Sequence, residues 1–450
     1  MTDGGGGEVL VIGGGIAGFQ AALDLAAAGI KVHMVEKSPS IGGRMAQLDK
    51  TFPTNDCAIC ILAPKMIETY GHRNIDVMTY SEVKSVSGTV GDFTVEVLRK
   101  PRYVDEDKCT GCGACMEKCP KKVPSEFDMG LRERRAIYFP FAQSVPRVAT
   151  IDEANCIYFK TGKCKICAKT CQVGAIDHDM KPEVVTLEVG AIIVATGYDV
   201  YMPYDIEEYG YGRYPNVVTA MEFERIINAA GPTSGHLERL SEDRRRPRRL
   251  AFIQCVGARD VRKDRPYCCA VCCMHSTKEA MLAREHYPDT ESWVFYTDMR
   301  AFGKGFYEYV KRGERDYGIR YIRAKPGEIL EDPETKDLRV HYSDREAREV
   351  KALDVEMVIL ATALVPRKDA PELAKVLGVE LDEYNFFRAP DELAPTDTTR
   401  EGVFMAGYCQ KPMDIPDAVA HGSAAAARAM ETIAVHGART GAKGGQVVRT

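Results

Sequence analysis

The chain has 450 residues, of which 45% are hydrophobic and 28% charged, with 60 Lys and Arg against 65 Asp and Glu for a net charge of −5. That length suggests about three domains with room for a sizeable core, and the composition excludes a disordered or fibrous chain. The acidic balance argues against a dedicated nucleic-acid binder, no apolar run approaches the roughly 20 residues of a membrane-spanning helix, and a chain that goes almost at once into a strand is expected to carry no signal peptide. The cytoplasm is therefore the expected compartment, with neither nucleic acid nor membrane insertion.

Cysteine is the informative residue, with 16 copies. Cytoplasmic thiols stay reduced, so these predict metal ligands or redox groups rather than disulfides. Fifteen fall in four tight groups and only Cys409 stands alone.

In chain order, Val9 to Ile12 reads as a strand, Gly13-Gly14-Gly15-Ile16-Ala17-Gly18 as a turn, and the following residues to about Ala28 as a helix ended by Gly29. Lys31 to Val35 is the next strand, with Glu36 at its tip. This is G-x-G-x-x-G between strand and helix, with an acid about 20 residues on. Gly13 permits the tight turn, Gly15 the approach of a pyrophosphate, and Gly18 close helix packing. The helix N-terminus stabilises the phosphates, and Glu36 can accept from a ribose hydroxyl. Gly42-Gly43-Arg44 follows.

The next cysteines are Cys57-x2-Cys60. Three readings stay open for them: a redox dithiol, half of a metal site completed elsewhere, or inert thiols. A hairpin is expected from Val83 to Ser87 and Phe93 to Val97. About Pro101 to Pro182 is an insertion carrying eight cysteines. Cys109-x2-Cys112-x2-Cys115-x3-Cys119-Pro120 has the spacing that wraps a [4Fe-4S] cubane, with the fourth cysteine aimed at a second cluster. The second half, Cys156-x7-Cys164-x2-Cys167-x3-Cys171, has a longer first spacing and no following proline. The crossover assigns Cys109, Cys112, Cys115 and Cys171 to one cluster, and Cys156, Cys164, Cys167 and Cys119 to the other. A pair of zinc sites is the alternative.

Ala191 to Gly197 reads as a buried strand ending in Ala195-Thr196-Gly197. Gly231 to Pro247 reads as a solvated linker, with Arg244-Arg245-Arg246 as a second option, a docking patch for an acidic redox partner. A second α/β unit then begins with the strand Leu250 to Gln254. A pyridine-nucleotide site needs a Gly-rich turn after such a strand, and none is present. Cys255, Cys268, Cys269, Cys272 and Cys273 stand there instead. They predict a third cluster facing the bound dinucleotide, with Cys255, Cys268, Cys272 and Cys273 as ligands and Cys269 left over. Buried structural thiols are the alternative. Lys278 follows on the next helix, either beside that cofactor, its charge stabilising the reduced form, or as a surface lysine. Met357 to Thr362 is a further buried strand. Gly402 to Gly407 precedes a small-residue helix, Ala418 to Ile433.

The Gly-rich turn, Gly42-Gly43-Arg44, Ala195-Thr196-Gly197 and the Gly402 to Gly407 segment together resemble the disulfide-reductase flavoproteins exemplified by thioredoxin reductase. The resemblance implies FAD, bound at Gly13, Gly15, Ile16, Ala17, Gly18, Glu36, Lys37, Gly43, Arg44, Ala195, Thr196, Gly197, Gly407 and Ile415. That family has Asp after the late Ala-Gly, where this chain has Tyr408-Cys409. The fold class is α/β: a two-dinucleotide-binding-domain flavoprotein, thioredoxin reductase-like, with an inserted two-cluster ferredoxin domain. Residues 1–100, 184–230 and 366–435 make the FAD-binding domain, 101–183 the insertion, 231–249 the linker, 250–365 the second nucleotide-binding-like domain and 436–450 a flexible tail.

A narrower resemblance follows from five segments: Cys57-Ala-Ile-Cys-Ile-Leu62, the insertion, Tyr138-Phe-Pro-Phe-Ala-Gln-Ser-Val-Pro146, Cys272-Cys-Met-His-Ser-Thr-Lys278, and Ala406-Gly-Tyr-Cys-Gln410 with Asp414-Ile-Pro416. The chain resembles the HdrA family of heterodisulfide reductase iron–sulfur flavoproteins, in a short form lacking the N-terminal and C-terminal ferredoxin domains. The resemblance implies an FAD- and iron–sulfur-dependent oxidoreductase subunit performing flavin-based electron bifurcation between a two-electron donor, ferredoxin and a disulfide. Implied partners are the other members of such a complex, HdrB- and HdrC-like subunits with an electron-input subunit, and ferredoxin, with homodimerisation a further option. Two readings compete with it: a non-bifurcating relay and assembly subunit, and a stand-alone NAD(P)H:acceptor reductase.

Overall fold

The computed structural model describes residues 7–344 and 347–441, with side chains through 436. The chain forms two compact units: Met1–Ala46, Leu62–Tyr198 and Pro366–Thr450 make the first, Gln47–Ile61 and Asp199–Val365 the second.

The first unit is built on a five-stranded parallel sheet in the order Val403–Met405, Ala191–Val194, Val9–Ile12, Val32–Glu36, Ile75–Thr79. Every residue of Val9–Ile12 and Ala191–Val194 is buried, as strands covered on both faces require, which is why both read as continuous apolar runs. The helix Ile16–Ala27 covers the sheet and packs against the long helix Ile415–Gly441. Gly422 meets the Ala17 carbonyl so closely that a Cβ would sit 2.5 Å from it.

An antiparallel three-stranded sheet, Ser81–Thr89, Asp92–Arg99 and Glu183–Val189, flanks this core. The expected hairpin is its first half, two residues longer at each outer end. Arg99 and Glu183 are register partners, so the insertion leaves and re-enters at one point. It folds around its own core of Val104, Ile137, Val148 and Ile151 with the cysteines Cys115 and Cys167.

The second unit repeats the plan. A parallel sheet in the order Val217–Thr219, Met357–Thr362, Arg249–Val256, Glu291–Phe295, Arg320–Ile322 is accompanied by an antiparallel meander, Pro326–Glu331, Leu338–Asp344 and Glu349–Val355. The helix Cys272–His286 crosses between two of the parallel strands.

Three expectations about organisation change. Residues 199–230 belong to the second unit, because Val217–Thr219 joins its sheet and Ala220–Ile227 packs on the Cys272–His286 helix. Residues 231–249 are not a solvated linker: Arg239 is fully buried and binds Asp337 at 2.6 Å and the Thr335 carbonyl at 2.7 Å. The tail from 436 begins inside the long C-terminal helix, and residues 442–450 lie outside those described. Among the described residues no helix is long and apolar enough to cross a membrane.

Candidate functional site

In the first unit the Gly-rich turn connects Val9–Ile12 to Ile16–Ala27. Gly13 takes φ +113°, and a Cβ there would lie 2.3 Å from the Ala195 carbonyl oxygen. A Cβ on Gly18 would lie 2.0 Å from the Gly13 carbonyl oxygen. Both glycines are thus fixed by protein contacts. Gly15 differs: nothing lies within 4 Å of its Cβ position, which leaves an open cradle at the helix N-terminus.

Glu36 braces this turn. Its Oε2 accepts from the Gly14 amide at 2.7 Å and its Oε1 from the Ser38 amide at 2.7 Å. Gly43 reaches the same turn, a Cβ there lying 3.0 Å from the Gly15 Cα, and Arg44 follows in the one-turn helix Gly43–Gln47. Ala195, Thr196 and Gly197 follow the neighbouring strand. Gly407 packs on Ala17 and donates its amide to His421 Nδ1 at 3.0 Å. Ile415 opens the C-terminal helix. Ile16, Ala17, Gly18, Ala195 and Gly407 therefore lie at the carboxyl ends of the parallel strands.

Lys37, at the end of the neighbouring strand, bonds Asp369 through its ammonium at 2.8 Å. Cys409, where the resemblance expects Asp, is a core thiol bonded to the Val194 and Ala406 carbonyls at 3.3 Å each. Burial pushes that thiol up to about 11.

Within the insertion the short helices Ala114–Lys118 and Ile166–Thr170 pack together. Burial, and then the charges of Cys109, Cys171 and Cys112, push the Cys115 thiol up to about 11. Burial, and then Cys156, Cys119 and Cys115, push Cys167 up to about 12. The structure thus gathers Cys109, Cys112 and Cys171 about Cys115, and Cys156 and Cys119 about Cys167. A small cavity is lined by Cys119, Cys156, Cys164 and Cys167 and walled by Ile137, Ile151, Ile157 and Ile166. Four soft sulfur donors in an aliphatic shell suit an iron–sulfur cluster.

In the second unit Cys255 sits at φ +59°, where the Arg249–Val256 strand shifts register against Met357–Thr362. The bulge re-aims its side chain. Cys272 and Cys273 occupy the first turn of the Cys272–His286 helix. The Cys273 Sγ accepts from the Arg300 amide at 3.4 Å, and the Cys268 Sγ from the Ala270 amide at 3.4 Å. Cys269 accepts from the Leu364 amide at 3.4 Å, and its hydrogen bond to Cys272, with burial, raises the Cys272 thiol. All five thiols are near neighbours. The glycine turn of a nicotinamide site is replaced by protein: a Cβ at Gly257 would lie 2.3 Å from the Tyr201 ring, and Arg265, 4.2 Å from that ring, bonds the Gly257 carbonyl at 2.7 Å.

Lys278 is no surface lysine. It is buried, ion-paired with Glu224 and donating to the Lys50 carbonyl at 2.9 Å. Burial opposes charge on Glu224, but the Lys278 ammonium outweighs it and holds the carboxyl below the usual range. Burial, then the Glu224 charge, raises the Glu279 carboxyl well above that range. Sequence reading missed Glu224, Glu279 and Tyr201, each of which looks locally like an ordinary surface residue. Cys57 and Cys60 are joined as a disulfide at the head of the Ala58–Gly71 helix, with Cys60 exposed. Among the described residues no three His, Cys, Asp or Glu side chains converge on a single-ion site. The run Arg244 to Arg246 is neutralised in part: Arg245 pairs with Asp337 and Arg246 with Asp289.

Thioredoxin reductases from T. acidophilum and Lactococcus lactis share the fold, each with TM-score 0.51 at 16% identity. The first match covers 94% of this chain and 98% of that one, the second 95% and 99%. The family model for FAD dependent oxidoreductases matches residues 8–100, and that for the 4Fe-4S binding domain residues 102–125. The chain therefore combines a thioredoxin reductase-like fold with an FAD dependent oxidoreductase segment and a 4Fe-4S binding domain segment.

The chain is 56% identical over 428 residues to an HdrA-type CoB--CoM heterodisulfide reductase iron-sulfur subunit of Methanopyrus kandleri, covering 95% of this chain and 64% of that protein. It is 51% identical over 423 residues to the corresponding subunit of the H(2):CoB-CoM heterodisulfide,ferredoxin reductase of Methanothermobacter thermautotrophicus, covering 94% and 63%. The chain belongs to the HdrA family of heterodisulfide reductase iron–sulfur subunits and spans a little under two thirds of the length of these relatives.

Proposed function

We propose that the protein is the FAD- and iron–sulfur-dependent electron-transfer subunit of a heterodisulfide reductase-like complex, working by flavin-based bifurcation between a two-electron donor, ferredoxin and a disulfide or similar acceptor. The observation that carries this reading is the cavity lined by Cys119, Cys156, Cys164 and Cys167 in a cysteine-rich core that belongs to the same compact unit as the dinucleotide turn. FAD, when bound, supplies exchange between two-electron and one-electron transfer.

The chain's own residues do the rest. The open backbone at Gly15 and the Ile16–Ala27 N-terminus receive the pyrophosphate, and Glu36 fixes the turn while keeping lone pairs for a ribose hydroxyl. Cys109, Cys112, Cys115 and Cys171 would hold one cluster, and Cys119, Cys156, Cys164 and Cys167 a second. Cys255, Cys268, Cys272 and Cys273 would hold a third, with Cys269 supporting Cys272 from behind. Glu224 and the Lys50 carbonyl hold the Lys278 ammonium inside the second unit. The Tyr201 ring against Gly257 argues against a nicotinamide bound in the second unit in the fold's usual manner. The relatives are single subunits of reductases named for a heterodisulfide and ferredoxin, which supports a multi-subunit complex.

Iron, sulfide and FAD on anaerobically purified protein test the reading. Three cubanes give about 12 irons per FAD, from four each, and Cys272→Ser then costs about four. A value near eight sinks the Cys255 to Cys273 site, and a value near zero sinks the whole reading. Bifurcation requires that, in the assembled complex, ferredoxin reduction stop when the disulfide is withheld.

A further inference from the structure

Two buried nitrogen donors beside the second unit's cysteines have no hydrogen-bond acceptor among the described residues. The first is Gln254 Nε2. Gln254 precedes Cys255 on the strand Arg249–Val256 and is buried, and its Oε1 accepts from the Cys273 Sγ at 3.3 Å. The second is Arg259 Nη1. The other arm of that guanidinium is fixed, Nη2 donating to Asp298 Oδ2 at 2.7 Å, and the Asp298 carbonyl lies 3.7 Å from the Cys273 Sγ. Burial raises the Cys255 thiol, and the Arg259 charge beside it opposes the rise.

Buried donors are nearly always paired, so two of them beside one group of cysteines call for an acceptor. Thiolates supply one. A cysteine that ligates iron has lost its proton, so a ligating Cys273 can no longer donate to Gln254. Turned over, the Gln254 amide presents Nε2 in place of Oε1 and donates to that sulfur. Arg259 stands in the same relation to Cys255, with a full charge added. The backbone contributes in the same sense, through the Arg300 amide to Cys273 and the Ala270 amide to Cys268 at 3.4 Å each. The cavity of Cys119, Cys156, Cys164 and Cys167 is walled instead by isoleucines. Hydrogen bonds to cluster sulfurs and the net charge around them set the reduction potential.

We propose that Gln254 and Arg259 are positioning residues that set the reduction potential of the iron–sulfur group held by Cys255, Cys268, Cys272 and Cys273, keeping it above the value those four cysteines alone would give. The proposal rests on the reading that these cysteines hold a cluster. Neither residue ligates iron. Each places a donor against the sulfurs, and Arg259 also a positive charge, which stabilises the form carrying the added electron.

The test is a reductive titration of the anaerobically purified holoprotein with dithionite, followed by electron paramagnetic resonance, on wild type, Gln254→Met, Arg259→Gln and Arg259→Lys. The signal read is the one that Cys272→Ser removes. Gln254→Met and Arg259→Gln should each disfavour its reduction about tenfold, a fall of about 59 mV for one electron, with iron content at the wild-type level. Arg259→Lys keeps the charge and should fall between Arg259→Gln and wild type. Asp298 retains Arg323 at 3.1 Å when Arg259 is replaced, so the loop is not left with an unpaired carboxylate. The signals that persist in Cys272→Ser should titrate as in wild type in every variant.

Iron-replete Gln254→Met and Arg259→Gln proteins whose reduction stays within about threefold of wild type overturn the proposal. So does an equal shift of all signals, which marks a general disturbance. Loss of about four irons from both variants, one cubane's worth, makes the residues structural and overturns it too. A wild type near eight irons per FAD, with no signal lost in Cys272→Ser, defeats the cluster reading itself, whereas full iron with unmoved potentials defeats only the role of Gln254 and Arg259.

Discussion

Replacing Lys278 by Met tests the energetics at the centre of the second unit. Lys278 and Glu224 are each only 2% exposed in their side chains. Met keeps the length and removes the ammonium. The Glu224 carboxylate is then left in the interior with the Asp49 amide, at 2.9 Å, as a remaining donor. Breaking one side of such a pair costs about 3–5 kcal/mol, and the Lys50 carbonyl also loses its donor, about 1 kcal/mol more. Glu224 can escape the cost by taking up a proton. Its folded pKa then lies above its unfolded value, so the variant loses stability as pH rises from about 5 to 7, one pKa unit corresponding to about 1.4 kcal/mol. Adding Glu224→Gln removes the orphaned charge and should recover most of the loss. The readout is urea unfolding followed by the fluorescence of Trp293, the chain's single tryptophan, which sits buried in the second unit's sheet and reports that unit alone. A cost below about 1 kcal/mol for the single change, or a double variant no more stable than the single one, would refute the argument.

Gly18→Ala should unfold the turn and abolish FAD retention, because the new Cβ meets the Gly13 carbonyl at 2.0 Å. Gly15→Ala should leave melting unchanged and lower the FAD-to-protein ratio on purification, because the only thing it obstructs is the open cradle. Lys37→Ala should retain FAD and cost no more than about 1 kcal/mol, since its ion pair with Asp369 is half exposed on the lysine side. Burial opposes charge on Asp369, but Arg367 and Lys37 overcome it and bring its carboxyl to about 2. That depressed value adds stability above about pH 4 that is lost as pH falls toward 2, so Lys37→Ala should unfold at a higher pH in acid titration followed by circular dichroism.

The parts of the molecule that sequence disclosed are those where local pattern and tertiary role coincide. Val9–Ile12 and Ala191–Val194 are apolar throughout because both faces are covered, and the glycines between strand and helix are demanded by contacts to neighbouring backbone. The insertion was legible because cysteine spacing is itself a geometric statement, and because its ends fall at the joined pair Arg99 and Glu183. The segment Gln47–Ile61 was not legible as part of the second unit. Its attachments are single polar contacts to distant residues, such as Arg225 donating to the Gln47 carbonyl at 2.9 Å and Lys50 pairing with Glu285 at 2.9 Å, which leave no mark on local pattern. Arg239 likewise looked like one more charge in a polar connection until its partners, nearly 100 residues away, were in view.

The second sheet shows how far such reading reaches. No glycine-rich turn follows the strand Arg249–Val256, and what packs at its tip comes from elsewhere in the chain. Tyr201 lies over Gly257, and Leu364 donates to Cys269 from the end of another strand. The left-handed backbone at Cys255 is a conformation that ordinarily favours glycine, and here a cysteine occupies it at a register shift. A backbone held off its preferred region at the strand tip, and aimed with four other thiols, is strain that packing alone has no need of. That cost is understandable if Cys255 must point where a cluster needs a ligand, and it makes Cys255→Gly informative. Glycine relieves the backbone, so melting should rise or hold while iron content falls by about four.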